Sequence, residues 1–316
     1  MKHIFIINPA AGQCDRTAQI KSAVETVFGS RGLDYELQLS QKPGDCTALA
    51  RAAAESGRPV RLYACGGDGT LNEVVNGAAG YDNVSVTHYP AGSGNDFIKI
   101  LDRPGDFRNL ERLLDCEEAE FDLIRCSNQG AVTYACNICS VGLDARIGTE
   151  IDAYRRLPLV GGKGAYILST VINVIKGIHR PYEIDLCGQT ITGNQTLICV
   201  CNGRNYGGSF NPVPDAEPDD GMLEVLLVKP VSRLQVAQVV GHYQKGRYAD
   251  FPDLIRHFRT DVVRVCSDGS VVNVDGEALY GDDITFSVAP FKLRFFYPAG
   301  LQYRSKARKP EEAAVI

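Results

Sequence analysis

A doubly wound α/β domain followed by an antiparallel β-rich sandwich domain is the fold this sequence predicts. Three observations predict it. Strand-like and helix-like segments alternate over the first 120 residues, three glycine-rich turns each directly follow a strand-like segment, and short strand-like segments dominate beyond Glu120. Alternating βαβα order argues for a parallel sheet with helices on both faces, and such sheets bind ligands at the carboxyl ends of their strands.

In chain order, Ile4–Ile7 reads as a strand, Thr17–Phe28 as a helix, Tyr35–Leu39 as a strand and Cys46–Ser56 as a helix. Val60–Cys65 is the next strand, Leu71–Ala79 the next helix and Val84–Tyr89 the next strand. The turns Asn8-Pro9-Ala10-Ala11-Gly12, Gly66-Gly67-Asp68-Gly69-Thr70 and Gly92-Ser93-Gly94-Asn95-Asp96 follow three of these strands, so one sheet edge is expected to gather them into a single cleft. Beyond Glu120 the strand-like segments are Phe121–Cys126, Val132–Ile138, Tyr182–Leu186, Thr196–Cys201, Leu223–Val228, Val262–Val265, Val271–Val274, Ile284–Val288 and Leu293–Tyr297. Asp268-Gly269 reads as a hairpin turn, and Ala165–Ile178 and Leu234–Lys245 read as helices. The expected division is 1–120, 121–304 and a frayed tail, 305–316.

The 316 residues suffice for two cores, and a net charge of −5 without a large basic block argues against a general nucleic-acid binder. Met1-Lys2-His3 runs straight into a strand, which leaves no room for a signal peptide. No apolar run reaches the roughly 18 residues of a membrane span. Most of the eleven cysteines lie in apolar runs, as buried thiols of a reducing compartment do, and a cytoplasmic location is expected. Cys136 and Cys139 have metal-ligand spacing but no second pair.

The pentad Gly66–Thr70 carries the most chemistry. A strand, a glycine turn and a helix start present unpaired N–H groups and a positive dipole end to an anion, with Thr70 at the expected N-cap. Asp68 is out of place beside a phosphate unless a cation intervenes or the carboxylate holds a positive neighbour, so the pentad points to a nucleotide handled with a divalent metal.

Asn8-Pro9-x-x-Gly12, then Gly66 through Thr70 with Leu71-Asn72-Glu73, then Gly92-Ser93-Gly94-Asn95-Asp96-Phe97 resemble, in that order, the diacylglycerol kinase catalytic-domain family. Tyr206-Gly207-Gly208, Pro214-Asp215-Ala216, Asp219-Asp220-Gly221 and Asn273-Val274-Asp275-Gly276-Glu277 extend the resemblance over nearly the whole chain. It implies an NAD-kinase-like nucleotide-binding fold and an ATP- and Mg²⁺-dependent kinase acting on a lipid hydroxyl, foremost diacylglycerol. The resemblance places ATP on the three turns (Asn8, Pro9, Ala10, Ala11, Gly12; Gly66 to Glu73; Gly92, Ser93, Asn95, Asp96) and on Ser40. It gives Asp68, Asp96 and Asp122 a network around the catalytic metal. A second, structural magnesium is implied at the Asp220 carboxylate and the carbonyls of Glu217 and Met222. Glu277 is the implied proton acceptor, with Asp275 as second choice or partner. Ala11 stands where relatives carry Ser, and Gln13 where they carry a basic residue, so two phosphate donors of the family are absent. Two rival readings remain, an NAD-kinase-like phosphotransferase and an idle lipid- or nucleotide-binding regulator. Tyr154-Arg155-Arg156 with Ala165–Ile178 is an expected peripheral membrane contact. Whether the chain forms a homodimer stays open.

Overall fold

The computed structural model describes residues 1–143, 145–146 and 179–302, so Tyr154–Arg156, the helix expected over Ala165–Ile178 and the tail from 305 lie outside the described residues. The chain divides into two compact units. Among the described residues, one comprises Met1–Leu123 together with 289–302, and the other comprises those between Ile124 and Val288.

The first unit is built on a six-stranded sheet among the described residues. Its strands are β1 (Lys2–Ile7), β2 (Tyr35–Leu39), β3 (Val60–Gly66), β4 (Val84–Pro90) and β5 (Cys116–Phe121), with β16 (Leu293–Pro298) from the far end of the chain. Their order is β2-β1-β3-β4-β16-β5. All neighbours are parallel except β5, which runs against β16. β1, β3 and β4 are buried along almost their whole length, as strands covered on both faces must be. Helices α1 (Thr17–Val24), α2 (Asp45–Glu55), α3 (Asp68–Ala78) and α4 (Leu110–Leu114) connect them, and α1 runs on into a π-helical turn at Glu25–Gly29.

A continuous division near residue 120 is therefore corrected, because β16 returns to the first sheet. Its side chains alternate between the two faces. Phe296 packs edge-on against Tyr63 at 5.0 Å, while Phe295 meets Phe97 at 5.2 Å and Phe121 at 5.9 Å. The run read as one strand from Phe121 to Cys126 is likewise two strands. β5 ends at Phe121 and β6 begins at Ile124, in different sheets, because the chain passes from one unit to the other there.

The second unit is an antiparallel sheet ordered β13-β12-β11-β8-β14-β15-β6-β7, with the pair β9–β10 joined through β14. Its strands are β6 (Ile124–Asn128), β7 (Ala131–Ala135), β8 (Ile138–Gly142), β9 (Arg180–Leu186), β10 (Gln189–Gln195), β11 (Leu197–Cys201), β12 (Leu223–Val228), β13 (Ile255–Thr260), β14 (Val262–Val274) and β15 (Glu277–Val288). On β12 the alternation is plain. Leu223, Val225 and Leu227 enter the central core, while Leu226 and Val228 enter a second cluster with Val239 and Tyr243 of α5 (Arg233–Tyr243). Ser232 and Gln235 close a capping box at the start of α5. Asp268-Gly269 is not a hairpin turn. It lies in a register shift within β14, between Cys266 and Ser270, and the strand continues to Val274. Among the described residues no helix is long and apolar enough to cross a membrane.

His3, on β1, is 7% exposed, packs edge-on against Phe28 at 5.0 Å and shares a 2.9 Å hydrogen bond between Nδ1 and the Tyr63 hydroxyl. Burial, helped by Arg61, pulls its imidazole down to about 4. The unfolded chain protonates this histidine near pH 6.5 and the folded chain near 4, so the unfolded state binds the extra proton between those values. Stability at this site is therefore lost as pH falls through that window, by up to about 3 kcal/mol. Urea-unfolding curves from pH 7 to pH 4 should show that loss in the natural chain, and His3→Phe should lack this component of the slope.

Candidate functional site

The three turns meet at the carboxyl edge of the first sheet and are tied to one another by specific bonds. The Asn8 side-chain amide donates to the Thr70 hydroxyl at 3.0 Å, and its carbonyl oxygen accepts the Ala10 N–H at 3.0 Å. The Gly66 carbonyl accepts the N–H groups of Ala91 at 2.7 Å and Gly92 at 3.1 Å. The approach is close enough to require glycine. A Cβ on Gly92 would stand 2.4 Å from the Gly67 Cα, and one on Gly12, whose φ is +78°, would stand 2.4 Å from the Ala91 carbonyl oxygen.

Asp68 carries the third tie. Its carboxylate accepts the N–H of Asn95 at 2.7 Å and that of Asp96 at 2.5 Å. Asn95, held at φ +49°, folds its side chain back onto both the N–H and the carbonyl of Gly92. The expected cap at Thr70 is corrected. Gly67, in extended backbone, caps α3, so Asp68 is the first helical residue, where a negative charge faces the positive dipole end. Thr70 is buried within the first turn, and its hydroxyl serves Asn8.

Several residues expected at the nucleotide spend their side chains inside the chain's own packing. The Leu71 side chain is in the core, and Asn72 is buried with its Oδ1 accepting from Asn76. Glu73 spends its carboxylate on the N–H groups of Gly44 and Cys46, both at 3.0 Å, which fixes the start of α2. Ser40 is buried at the end of β2, with its N–H bonded to the Ile7 carbonyl at 2.9 Å. Ser93 is exposed at the tip of the third turn.

The gathering of Asp68, Asp96 and Asp122 into one metal-binding set is not found among the described residues. Asp96 is ion-paired with Lys99 at 2.5 Å, and Asp122, 2% exposed, is paired with Lys292 at 3.1 Å. In this structure, lysines and amides occupy these carboxylates.

Sequence reasoning missed His88. Fully buried on β4, it brings Nε2 to 2.9 Å from the Gly66 carbonyl oxygen, beneath the pentad. Burial lowers its pKa against the pull of Asp68. The neutral ring then donates from Nε2 as a third donor to that oxygen. A histidine inside a strand, two residues before the strand ends at Pro90, was the available signal.

In the second unit, Asp275 and Gly276 are the two central residues of a tight hairpin joining β14 to β15, with φ of +49° and +103°. The Asp275 carboxylate turns inward to the β7–β8 turn. It accepts the N–H of Cys136 at 2.7 Å, that of Asn137 at 3.2 Å and that of Ile138 at 2.8 Å, as well as the Cys136 thiol at 3.3 Å. Burial raises its pKa and these donors pull it back. This anchoring also explains why the expected strand Val132–Ile138 breaks into β7 and β8. Glu277 is the exposed first residue of β15, two positions on.

In the acidic loop before β12, Asp220 accepts the Met222 N–H at 2.9 Å through one oxygen and ion-pairs with Arg259 through the other. The Glu217 carbonyl accepts the Asp220 N–H at 3.4 Å. Each of these oxygens thus has a partner within the chain.

Asp275→Asn should separate the carboxylate from the turn it stabilises, because asparagine tolerates the same left-handed backbone. An amide facing three N–H donors supplies fewer acceptor sites, so we expect a loss of about 1–3 kcal/mol by chemical denaturation and faster hydrogen exchange at Gly276 and Glu277. An unchanged midpoint and unchanged exchange would contradict the anchoring role.

Two family models match successive stretches of the chain, with most of β16 falling inside the second match. Residues 2–126 match the model of the diacylglycerol kinase catalytic domain, and residues 137–297 match that of the YegS C-terminal NAD kinase beta sandwich-like domain. A Staphylococcus carnosus protein carrying the name "Putative lipid kinase" is 25% identical over 300 residues, covering 93% of this chain and 96% of that one. A crystal structure described as a putative diacylglycerol kinase from Bacillus anthracis superposes with a TM-score of 0.73 over 95% of this chain and 98% of that one, at 23% identity, which shows a shared fold. A second B. anthracis diacylglycerol kinase structure gives 0.65 at 19% identity, over 94% and 96% of the two chains. With both of its units matched in sequence order, the chain belongs to the diacylglycerol kinase catalytic-domain family.

Proposed function

We propose that this protein transfers the γ-phosphate of ATP to the primary hydroxyl of a membrane lipid, with diacylglycerol as acceptor and phosphatidic acid as product. The observation that carries this reading is the joined rim of Asn8–Gly12, Gly66–Thr70 and Gly92–Asp96, three turns locked together at one sheet edge beside the start of α3. Backbone N–H groups and a helix start in that arrangement suit a polyphosphate. Ala11 and Gln13 contribute no side-chain cation, so the backbone carries more of the phosphate binding in this chain.

Magnesium bound with ATP would supply charge neutralisation at the phosphates. The chain itself positions: the rim holds the phosphate tail, the Asp68 clamp keeps two of its turns in register, and Glu277 takes the proton of the acceptor hydroxyl as that oxygen attacks the γ-phosphorus. The bond to the β-phosphate oxygen breaks as the new P–O bond forms, and ADP leaves. Positioning and neutralisation carry most of the acceleration in such transfers. The lipid is met by peripheral contact with the membrane surface.

Incubation of the purified chain with labelled ATP, Mg²⁺, a panel of lipid micelles and NAD tests this. Labelled phosphatidic acid should form, and Glu277→Gln should reduce it by about 10²–10⁴-fold with an unchanged melting midpoint, since Glu277 is exposed. Label in NADP would transfer the assignment to an NAD kinase, and no labelled product with any acceptor would leave a binding protein.

A further inference from the structure

The loop before β12 resembles a structural magnesium site, yet its carboxylate is already matched by a cation belonging to the chain. Arg259 places Nη2 on the Asp220 carboxylate and Nε 3.5 Å from Glu224 Oε1. This position follows from strand register, because Arg259 on β13 is the Cα partner of Glu224 on β12. The second Glu224 oxygen lies 2.5 Å from His257 Nε2, and His257 Nδ1 lies 3.2 Å from the Tyr248 hydroxyl. The five side chains form one line, Asp220–Arg259–Glu224–His257–Tyr248, along the α5-facing side of β12 and β13.

Exposure decides how much this pairing matters. The Glu224 side chain is 6% exposed, that of Asp220 20% and that of Arg259 29%. A carboxylate as enclosed as Glu224 is costly without a positive neighbour, so Arg259 has reason to stay in place. A divalent ion at Asp220 would have to share a carboxylate that already accepts the Met222 N–H at one oxygen and the Arg259 guanidinium at the other. It would also sit beside a charge of its own sign.

We infer that Arg259 takes the place of the structural divalent cation in this chain, neutralising Asp220 and Glu224 together and making this corner of the second unit independent of metal. The inference concerns stability, and it stands whichever acceptor the enzyme phosphorylates.

Thermal unfolding of the full chain without nucleotide tests it, in EDTA and in millimolar Mg²⁺. The shift produced by Mg²⁺ should be the same in the natural chain and in Asp220→Asn. Arg259→Met, which keeps the stem and removes the charge, should melt at least about 4 °C lower in EDTA. A Mg²⁺ shift larger in the natural chain than in Asp220→Asn would overturn the inference, as would an Arg259→Met midpoint equal to that of the natural chain. Should Arg259→Met not fold, Mn²⁺ binding followed by electron paramagnetic resonance decides between the remaining two chains. Equal binding supports the inference, and loss of a bound ion in Asp220→Asn refutes it.

Discussion

The Asp68 carboxylate, held by the amides of Asn95 and Asp96, is the interaction on which the rim of glycine-rich turns depends. The turns it joins have little else to keep them in register. They are glycine-rich, with few side chains to interlock, and a glycine chain loses more conformational freedom on ordering than any other. One charged acceptor bonded to two consecutive N–H groups orders the third turn against the second at a single point. The Gly66 carbonyl, with Ala91, Gly92 and His88 around it, supplies the other. A negative charge within a glycine turn thereby becomes intelligible. Its two oxygens are turned to the neighbouring turn, and its charge rests at the positive end of α3.

The same device recurs. Glu73 collects the amides at the start of α2, and Asp275 collects those of the β7–β8 turn. Bonds from an ionised acceptor are about twice as strong as neutral ones, which suits them to loops that no ladder of backbone bonds can hold. These are also the acids that sequence reasoning assigns to nucleotide, metal or proton transfer. Their presence in loops was legible; their partners were not, because an acid facing amides and an acid facing a ligand sit in the same kind of turn.

The fold was legible where one physical signal dominated. β1, β3 and β4 are short runs rich in aliphatic and aromatic residues, and each precedes a glycine turn, so the α/β order of the first unit followed directly from the sequence. β10 and β13 gave no such signal: QTITGNQ is largely polar and exposed, and IRHFRT carries two arginines and a histidine in six residues. β16 was recognised as a strand but assigned to the wrong sheet. Its alternating Phe295 and Phe296 fill cores on both faces of the first unit, and a pattern of that kind says nothing about which sheet receives it. Asp268-Gly269 and Asp275-Gly276 are the same dipeptide. One is a bulge and the other a hairpin, because the partner strand β15 continues past the first and turns at the second.

That second Asp-Gly also separates the roles of the two acids beside it. Proton acceptance requires a lone pair available to the incoming hydroxyl, and a carboxylate surrounded by three N–H groups and a thiol has its lone pairs directed elsewhere. Asp275 meets the first need of a turn and fails the first need of a base. Glu277 begins the strand that this turn launches, so its place is set by the anchored hairpin while its side chain remains at the surface. Precision and accessibility conflict when one residue must supply both. Asp275 and Glu277, separated by one glycine, divide the two between them, the first held by the β7–β8 turn and the second lying at the surface.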